Sequence, residues 1–338
     1  MAEKEMTRAG PSAGGATEEQ VLARMRTAAT LIGPQQPLTQ SFLVTLNGDY
    51  VAAGVGMRNL GSGQIAIDLP PYSSIVRALL YWSIIRQAAA GPAPAGGWLN
   101  GQAITGTLIA TTGSPGWPDL AEAEAGTTLA DVFRADVSEI AVAGSNFLTE
   151  FPSGLTDGTP PQDAPRAFPL LNGASLVVIF SNPGFPLKTV IVNDGGQTVF
   201  GNTVSTTLQN FVATSPVQAK TTYIVSDGQA RFLSDSALFE ATAVAGPGTG
   251  LKTADAFDGQ DGLVFFPLDG LWDTLTVDVS GFINPGDTSA VAAITAGAGG
   301  GSDWLTYVAQ VFSVTAAEIL RVRGYRIPGM VPLGPRAS

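Results

Sequence analysis

The sequence predicts an all-β fold, an antiparallel β-sandwich, on three observations. Charged residues make up 13% of the 338-residue chain and apolar residues 45%, with 41 glycines and 23 prolines. An ordinary soluble domain carries about 25% charge, so this balance suits strands and turns and not a helical bundle or a disordered chain. Many segments either alternate with period two or run apolar for a few residues between turn signals, the marks of half-exposed and doubly covered strands. No strand–helix–strand alternation is present, which disfavours a doubly wound parallel sheet.

Residues 1–16 are rich in Gly, Ala and Ser and read as a flexible tail. Thr17 opens a capping box with Gln20, and Glu18 and Glu19 fall in the first turn. Val21, Met25, Ala28 and Ile32 follow helical spacing until Gly33-Pro34 stops the run. An amphipathic helix is therefore expected over 17–33. It either packs on the sandwich or mediates oligomerisation, with Val21, Met25 and Ile32 as its contact residues.

The sandwich is expected over 38–320. "QIAIDLPP" and "TLTVDVSGF" alternate strictly, whereas "ALLYWSII" and "SLVVIFSNPG" are β-branched or aromatic apolar runs too short for a helix. Further strands are expected at "SFLVTL", "GWLNGQAITGTLIA", "KTVIVND", "TTYIVSD", "DGLVFFPL", "TSAVAAITA" and "WLTYVAQVFSV". Asn47-Gly48, Asn100-Gly101, Asp194-Gly195, Asp227-Gly228 and Asp269-Gly270 supply turn chemistry. Residues 128–142 read as a strand followed by a short helix, or as one helix. The Pro/Gly-rich stretch 151–169 is a domain boundary or a long surface loop. No repeat period is evident. Residues 321–338 form a basic, Pro/Gly-rich tail in which Arg321, Arg323 and Arg326 are either solvated or in contact with an acidic neighbouring copy.

The net charge of −11 argues against nucleic acid as a partner, because phosphate affinity comes from Lys and Arg. The chain has no cysteine, so it has no disulfide framework or thiolate metal site. It has no histidine, which removes Ser-His-Asp catalysis and imidazole zinc sites. Carboxylates, Lys, Tyr and Ser remain, and no catalytic set is discernible among them. No segment reaches the ~18 apolar residues of a membrane span, and the N-terminus lacks the layout of a secretory signal.

Asp255, Asp258 and Asp261 recur every third residue in the loop "TADAFDGQDGL". Hard oxygens in a flexible loop suit calcium, the one candidate cofactor, although the spacing is not that of an EF-hand; a solvated acidic loop is the plainer reading. Trp117 and Trp272, with Trp98 and Trp304, form a sugar-stacking platform or else packing lids. Lys188, near Asn193 and Asp194, is a solvent-facing strand lysine or one partner of an intramolecular crosslink.

The stretches "IDLPPYSSIVRALLYWS", "WLNGQAITG", "DVFRADVSEIAVAGSNFL", "NGASLVVIFSNPGFPLKTVIVNDGGQTV", "DTLTVDVSGFINPGDTSAVAAITAG" and "GSDWLTYVAQVFSV", taken in order, resemble a family of bacterial surface or secreted, adhesin-like β-sandwich proteins. The resemblance spans roughly residues 60–313. It implies one extended jelly-roll-like unit with 151–169 as an internal loop, a surface or extracellular location, and no catalytic residues. Cytoplasmic residence is the alternative. The expected role is a non-enzymatic structural or assembly protein that self-associates through its terminal extensions into a homo-oligomer, filament or particle. The alternative is a glycan-binding, lectin-like module assisted by calcium.

Overall fold

The computed structural model describes residues 34–113, 126–160, 167–230, 233–261, 270–297 and 303–317. The expected helix with Val21, Met25 and Ile32, the tail with Arg321, Arg323 and Arg326, Trp117, and most of the expected strand "DGLVFFPL" lie outside the described residues.

The described residues form strands and contain no α-helix. The first strands are β1 (Gln36–Gly56), β2 (Gly63–Ile67), β3 (Ser74–Gln87), β4 (Gly96–Leu99), β5 (Gln102–Thr105), β6 (Thr107–Gly113), β7 (Thr128–Asp136), β8 (Gly144–Thr149) and β9 (Leu170–Ser181). They are followed by β10 (Leu187–Val199), β11 (Thr203–Gln209), β12 (Ala219–Ser226), β13 (Ser236–Phe239), β14 (Thr242–Ala245), β15 (Trp272–Asp278), β16 (Ser289–Thr295) and β17 (Leu305–Thr315). All named pairings are antiparallel.

A nine-stranded sheet runs β15-β12-β17-β10-β1-β9-β3-β7-β6, and two four-stranded sheets run β2-β8-β4-β5 and β11-β16-β13-β14. The alternation of side chains along each strand divides most of the interior among three large cores. Leu80, Trp82, Ile84 and Leu176 face Ile65, Ile67, Leu99 and Leu148 of one small sheet. Ile191, Tyr223 and Phe312 face Leu208, Phe239 and Ile294 of the other. Between them, Tyr50, Leu79, Tyr81 and Val177 of the β9 side meet Val190, Val192, Ile224 and Val311 of the β10 side. The long sheet thus folds onto itself, and each half is capped by a small sheet. "ALLYWSII" is extended in β3, apolar throughout because alternate residues enter different cores; each fully buried large side chain contributes about 1.5–3 kcal/mol.

β1 joins the two halves. Its first part pairs with β10 from Gln36 to Asn47, and its second part pairs with β9 from Gly48 to Gly56. The expected turn at Asn47-Gly48 is therefore the point where one continuous strand changes partner. A Cβ on Gly48 would collide with the Phe180 carbonyl, so close backbone approach requires glycine there. Asp194-Gly195 is likewise not a hairpin: β10 continues through it with an irregularity between Asp194 and Gln197. Residues 128–142 form β7 followed by a single turn, in which the Ile140 and Ala141 amides donate to the Val137 carbonyl.

The halves are repeats. The order β1-β9-β3-β7 matches β10-β17-β12-β15, and β2-β8-β4-β5 matches β11-β16-β13-β14. The match extends to hydrogen bonds. The Val137 amide donates to the Ala78 carbonyl (2.9 Å) and the Val279 amide to the Ala219 carbonyl (3.0 Å). The Ala78 amide donates to Ser138 Oγ (3.0 Å) and the Ala219 amide to Ser280 Oγ (2.9 Å). The irregularity between Ser83 and Ile84 recurs between Ile224 and Val225. The sequence reading missed this duplication because little beyond Asp-Val-Ser at 136–138 and 278–280 is shared. Residues 151–160 and 167–169 lie inside the first repeat, between β8 and β9, which feed one core.

Candidate functional site: a carboxylate cluster and an exposed aromatic face

The repeat defines an unusual end of the second half. In the first repeat, Arg86 near the end of β3 gives Nε to Asp131 Oδ2 on β7 at 2.6 Å. Asp131 also accepts the Ala93 amide (2.8 Å) and Thr111 Oγ1 (2.8 Å), so this buried ion pair is fully engaged. Ile84 pairs with Asp131 in the first repeat as Val225 pairs with Asp273 in the second. Counting two residues onward, the equivalent of Arg86 is Asp227. The carboxylate is kept as Asp273, and an aspartate stands at the arginine's position.

More acids converge on this end. Asp227 is buried and pairs with Arg58 at 3.6 Å. Asp303, just before β17, accepts the Trp304 amide (2.8 Å) and Gln229 Nε2 (3.4 Å) through Oδ1. Asp235 Oδ1 accepts the Gly297 amide (3.0 Å), and Asp255 Oδ1 accepts the Asp235 amide (3.1 Å). The second oxygens of Asp235, Asp255 and Asp303 are buried with no hydrogen-bond partner. Burial, reinforced by the charges of Asp227, Asp235 and Asp255, holds the Asp303 carboxyl well above the ordinary carboxylate range. Burial likewise raises Asp235 and Asp255, which face each other.

A second group lies beside it. Asp273 accepts the Gly259 amide through both oxygens (3.1 and 3.0 Å) and is raised by burial and by the charges of Asp261 and Asp258. Burial pushes Asp261 up to about 6, against a hydrogen bond from Thr274. Asp258 is ion-paired with Lys252. The sequence-predicted trio therefore does not converge: Asp255 turns towards Asp235, Asp258 towards Lys252, and Asp261 towards Thr274. Among the described residues no group of three or more acidic side chains is placed to hold a metal ion. Asp227, Asp235, Asp273 and Asp303 were missed because they are scattered over 77 positions (227 to 303) and only the fold gathers them.

The tryptophans divide. Trp272 is fully buried, with its Nε1 donating to Ser175 Oγ at 2.7 Å, so neither face of its ring is open to a sugar. Trp304 stacks on Phe200 with centroids 4.2 Å apart. Trp98 on β4 remains 39% exposed, and Phe147 on β8 is 53% exposed. Trp98 pairs with Thr149, which makes Phe147 its diagonal neighbour at the ~7–8 Å that aromatic side chains span. Gln64 pairs with Phe147 and donates to Ser145 Oγ at 2.8 Å. A cavity of about 300 Å³ opens beside this face, lined by Val55, Leu60, Gln64, Phe147 and Thr149.

Lys188 is buried and gives Nζ to Asp49 at 2.7 Å. Asn193 lies on the same strand and donates to Thr206 Oγ1 at 2.8 Å, so the contemplated crosslink has no facing partner there.

No family model and no curated protein matches this chain. Among solved structures, a β-porphyranase of glycoside hydrolase family 86 from the human gut bacterium Bacteroides plebeius is similar at a TM-score of 0.23 and 9% identity, over 82% of this chain and 36% of that one. The ANX2 ectodomain from Arabidopsis thaliana gives 0.25 and 10%, over 85% and 95%. The major capsid protein of bacteriophage PM2 gives 0.21 and 8%, over 80% and 99%. The chain spans about a third of the length of the glycoside hydrolases it matches, at 33% and 36%. Likenesses this faint bear on neither fold nor function.

Proposed function

We propose that the chain is a non-enzymatic scaffold, two jelly-roll-like units in tandem, that self-associates through the segments flanking its sheets. The observation that supports this reading is where those segments attach. β1 begins with Gln36 opposite Gly196, near the end of β10, and β17 ends with Thr315 opposite Lys188, near its start. Residues 1–33 and 318–338 therefore join the body at opposite ends of β10, about 26 Å apart along the strand direction. Attachment at opposite ends suits head-to-tail contact between copies, which closes into rings or propagates as filaments. The expected location is the cell surface or the exterior, in keeping with the adhesin-like resemblance. Among the described residues no helix is long and apolar enough to cross a membrane.

Light scattering and electron microscopy on the full chain and on residues 34–317 test the proposal. The full chain should form species well above its 34.7 kDa, and the truncated chain should be monomeric. A full chain that stays monomeric at every concentration sinks the reading.

The exposed Trp98–Phe147 pair favours a second reading, glycan binding on the outward face of β2-β8-β4-β5. Aromatic rings on a sheet face, with Gln64 and Thr149 as polar neighbours, suit the mixed apolar and hydroxyl surface of a sugar. On a glycan array, Trp98→Ala and Phe147→Ala should each reduce retained signal at least tenfold. An array without signal for the parent chain removes this reading.

A further inference from the structure

We propose that residues 246–261 form a pH-sensitive strap between the two repeats, closed while Asp235 and Asp255 share a proton and released when they lose it to solvent. The inference is independent of how the chain associates.

The path of the strap is the first argument. It leaves β14 after Ala245 and contains neither helix nor strand. Backbone bonds stitch it to the approach to β13: the Ser234 amide donates to the Ala254 carbonyl (3.3 Å), and the Ala256 amide to the Asp235 carbonyl (3.0 Å). Ala256 and Phe257 enter the core of the second repeat, where the Phe257 ring centroid lies 6.4 Å from that of Tyr223. The strap then passes β15, with the Gly259 amide on Asp273. It ends on the first repeat, where the Gly56 amide donates to the Asp261 carbonyl (2.9 Å). Leu251, Thr253, Ala254 and Gln260 stay exposed along it. A segment with few backbone bonds and an exposed face opens locally, without unfolding the sheets.

The second argument is the lock. Asp235 and Asp255 are 0% and 4% exposed, and their carboxyl groups lie within hydrogen-bonding reach of each other. Oδ1 of Asp235 accepts the Gly297 amide (3.0 Å), and Oδ1 of Asp255 accepts the Asp235 amide (3.1 Å). Oδ2 of each is buried without a partner. Two ionised carboxylates offer acceptors and no donor. One proton between them supplies the donor, whereas two charges in this place repel.

Among the described residues, the groups around the pair supply no cation to it. Asp303 faces it from the approach to β17, and Asp227 lies beyond, held by Arg58. On the strap, Asp258 is paired with Lys252, and Asp261 and Asp273 adjoin them. Tyr223, beneath the strap, spends its hydroxyl on the Leu238 carbonyl (2.7 Å). Burial lifts Asp235 to about 7; burial and the charge of Asp235 lift Asp255 to about 8. Both lie above the ordinary 3.8, so the closed strap holds protons that an open, hydrated strap gives up. Opening therefore becomes more favourable as pH rises from about 4 towards 8, and levels off above.

Hydrogen exchange of the full chain, read by mass spectrometry at pH 6 and pH 8 and corrected for the intrinsic pH dependence of exchange, tests the proposal. Peptides covering 246–261 should open at least about tenfold more at pH 8, while β3 keeps its protection. In D235N/D255N the side-chain amides provide a donor at every pH, so the response should shrink to less than about a third of the parent's. Far-UV circular dichroism checks that this variant folds; D255N alone, whose response should also shrink, serves in its place if it does not. A parent strap equally protected at the two pH values overturns the proposal. So does an equal loss of protection in β3, which would mean that the whole fold loosens, or a response in the folded variant as large as the parent's.

Discussion

A carboxyl enclosed away from water taxes the fold, and Asp261 makes that measurable. Its proton is held up to about 6, mainly by burial, while its ordinary value is 3.8. Between those values the folded chain keeps a proton that the unfolded chain releases, so stability falls as pH rises from about 4 to 6 and stays reduced above. With EDTA present, Asp261→Asn should stabilise the chain by roughly 1–3 kcal/mol at pH 7, and the gain should vanish near pH 4. Thermal melts at the two pH values check this; an equal gain at both would place the effect outside the carboxyl's charge. Little of this chemistry was legible in the residues alone. The acidic loop drew notice because Asp255, Asp258 and Asp261 are close in sequence, yet only Asp255 joins the main cluster. Its partners stand in strand approaches that read as turn formers, Asp227-Gly228 among them. Trp98 was legible as a platform residue, but Phe147 was hidden in an unremarkable "SNFL".

At the scale of elements, apolar period and turn chemistry located most strands but not their connections. "ALLYWSII" was rightly extended because its length and β-branched and aromatic content leave no other way to satisfy two cores. Asn-Gly was an unreliable turn signal: Asn100-Gly101 closes the β4–β5 hairpin, whereas Asn47-Gly48 lies mid-strand. The matching hairpin, β13–β14, turns at Glu240-Ala241 with φ of 48° and 61°, against 50° and 76° at Asn100-Gly101. Its contacts also match, since the Glu240 amide donates to the Val291 carbonyl as the Asn100 amide does to Phe147. Alanine pays a steric cost in this left-handed region that glycine does not. Ala241→Gly should therefore stabilise the chain by about 0.5–1 kcal/mol, readable in urea as a raised midpoint with unchanged slope. A lowered midpoint would mean that Ala241 packing outweighs backbone strain.

For the molecule as a whole, composition made the all-β class legible and left the duplication unseen. The repeats share register, an irregularity and capping hydrogen bonds, which are backbone properties that many side-chain combinations satisfy. What tells them apart is the segment before the seventh-position strand. β6 occupies it in the first repeat and completes the Asp131 pair through Thr111, while the acidic loop occupies it in the second. That divergence places several aspartates at this end of the second half, Asp227 held by Arg58 and Asp258 by Lys252.

The partner change along β1 has a consequence for synthesis. Once Ser181 has left the ribosome, the second part of β1 can pair with β9, but Gln36–Asn47 must wait for Leu187 to Gly196 of β10, the last of them 196 − 181 = 15 residues later. At translation rates of about 5–20 residues per second, an otherwise finished half presents a twelve-residue ribbon (Gln36 to Asn47) that stays wholly or partly unpaired for about one to three seconds on every nascent chain.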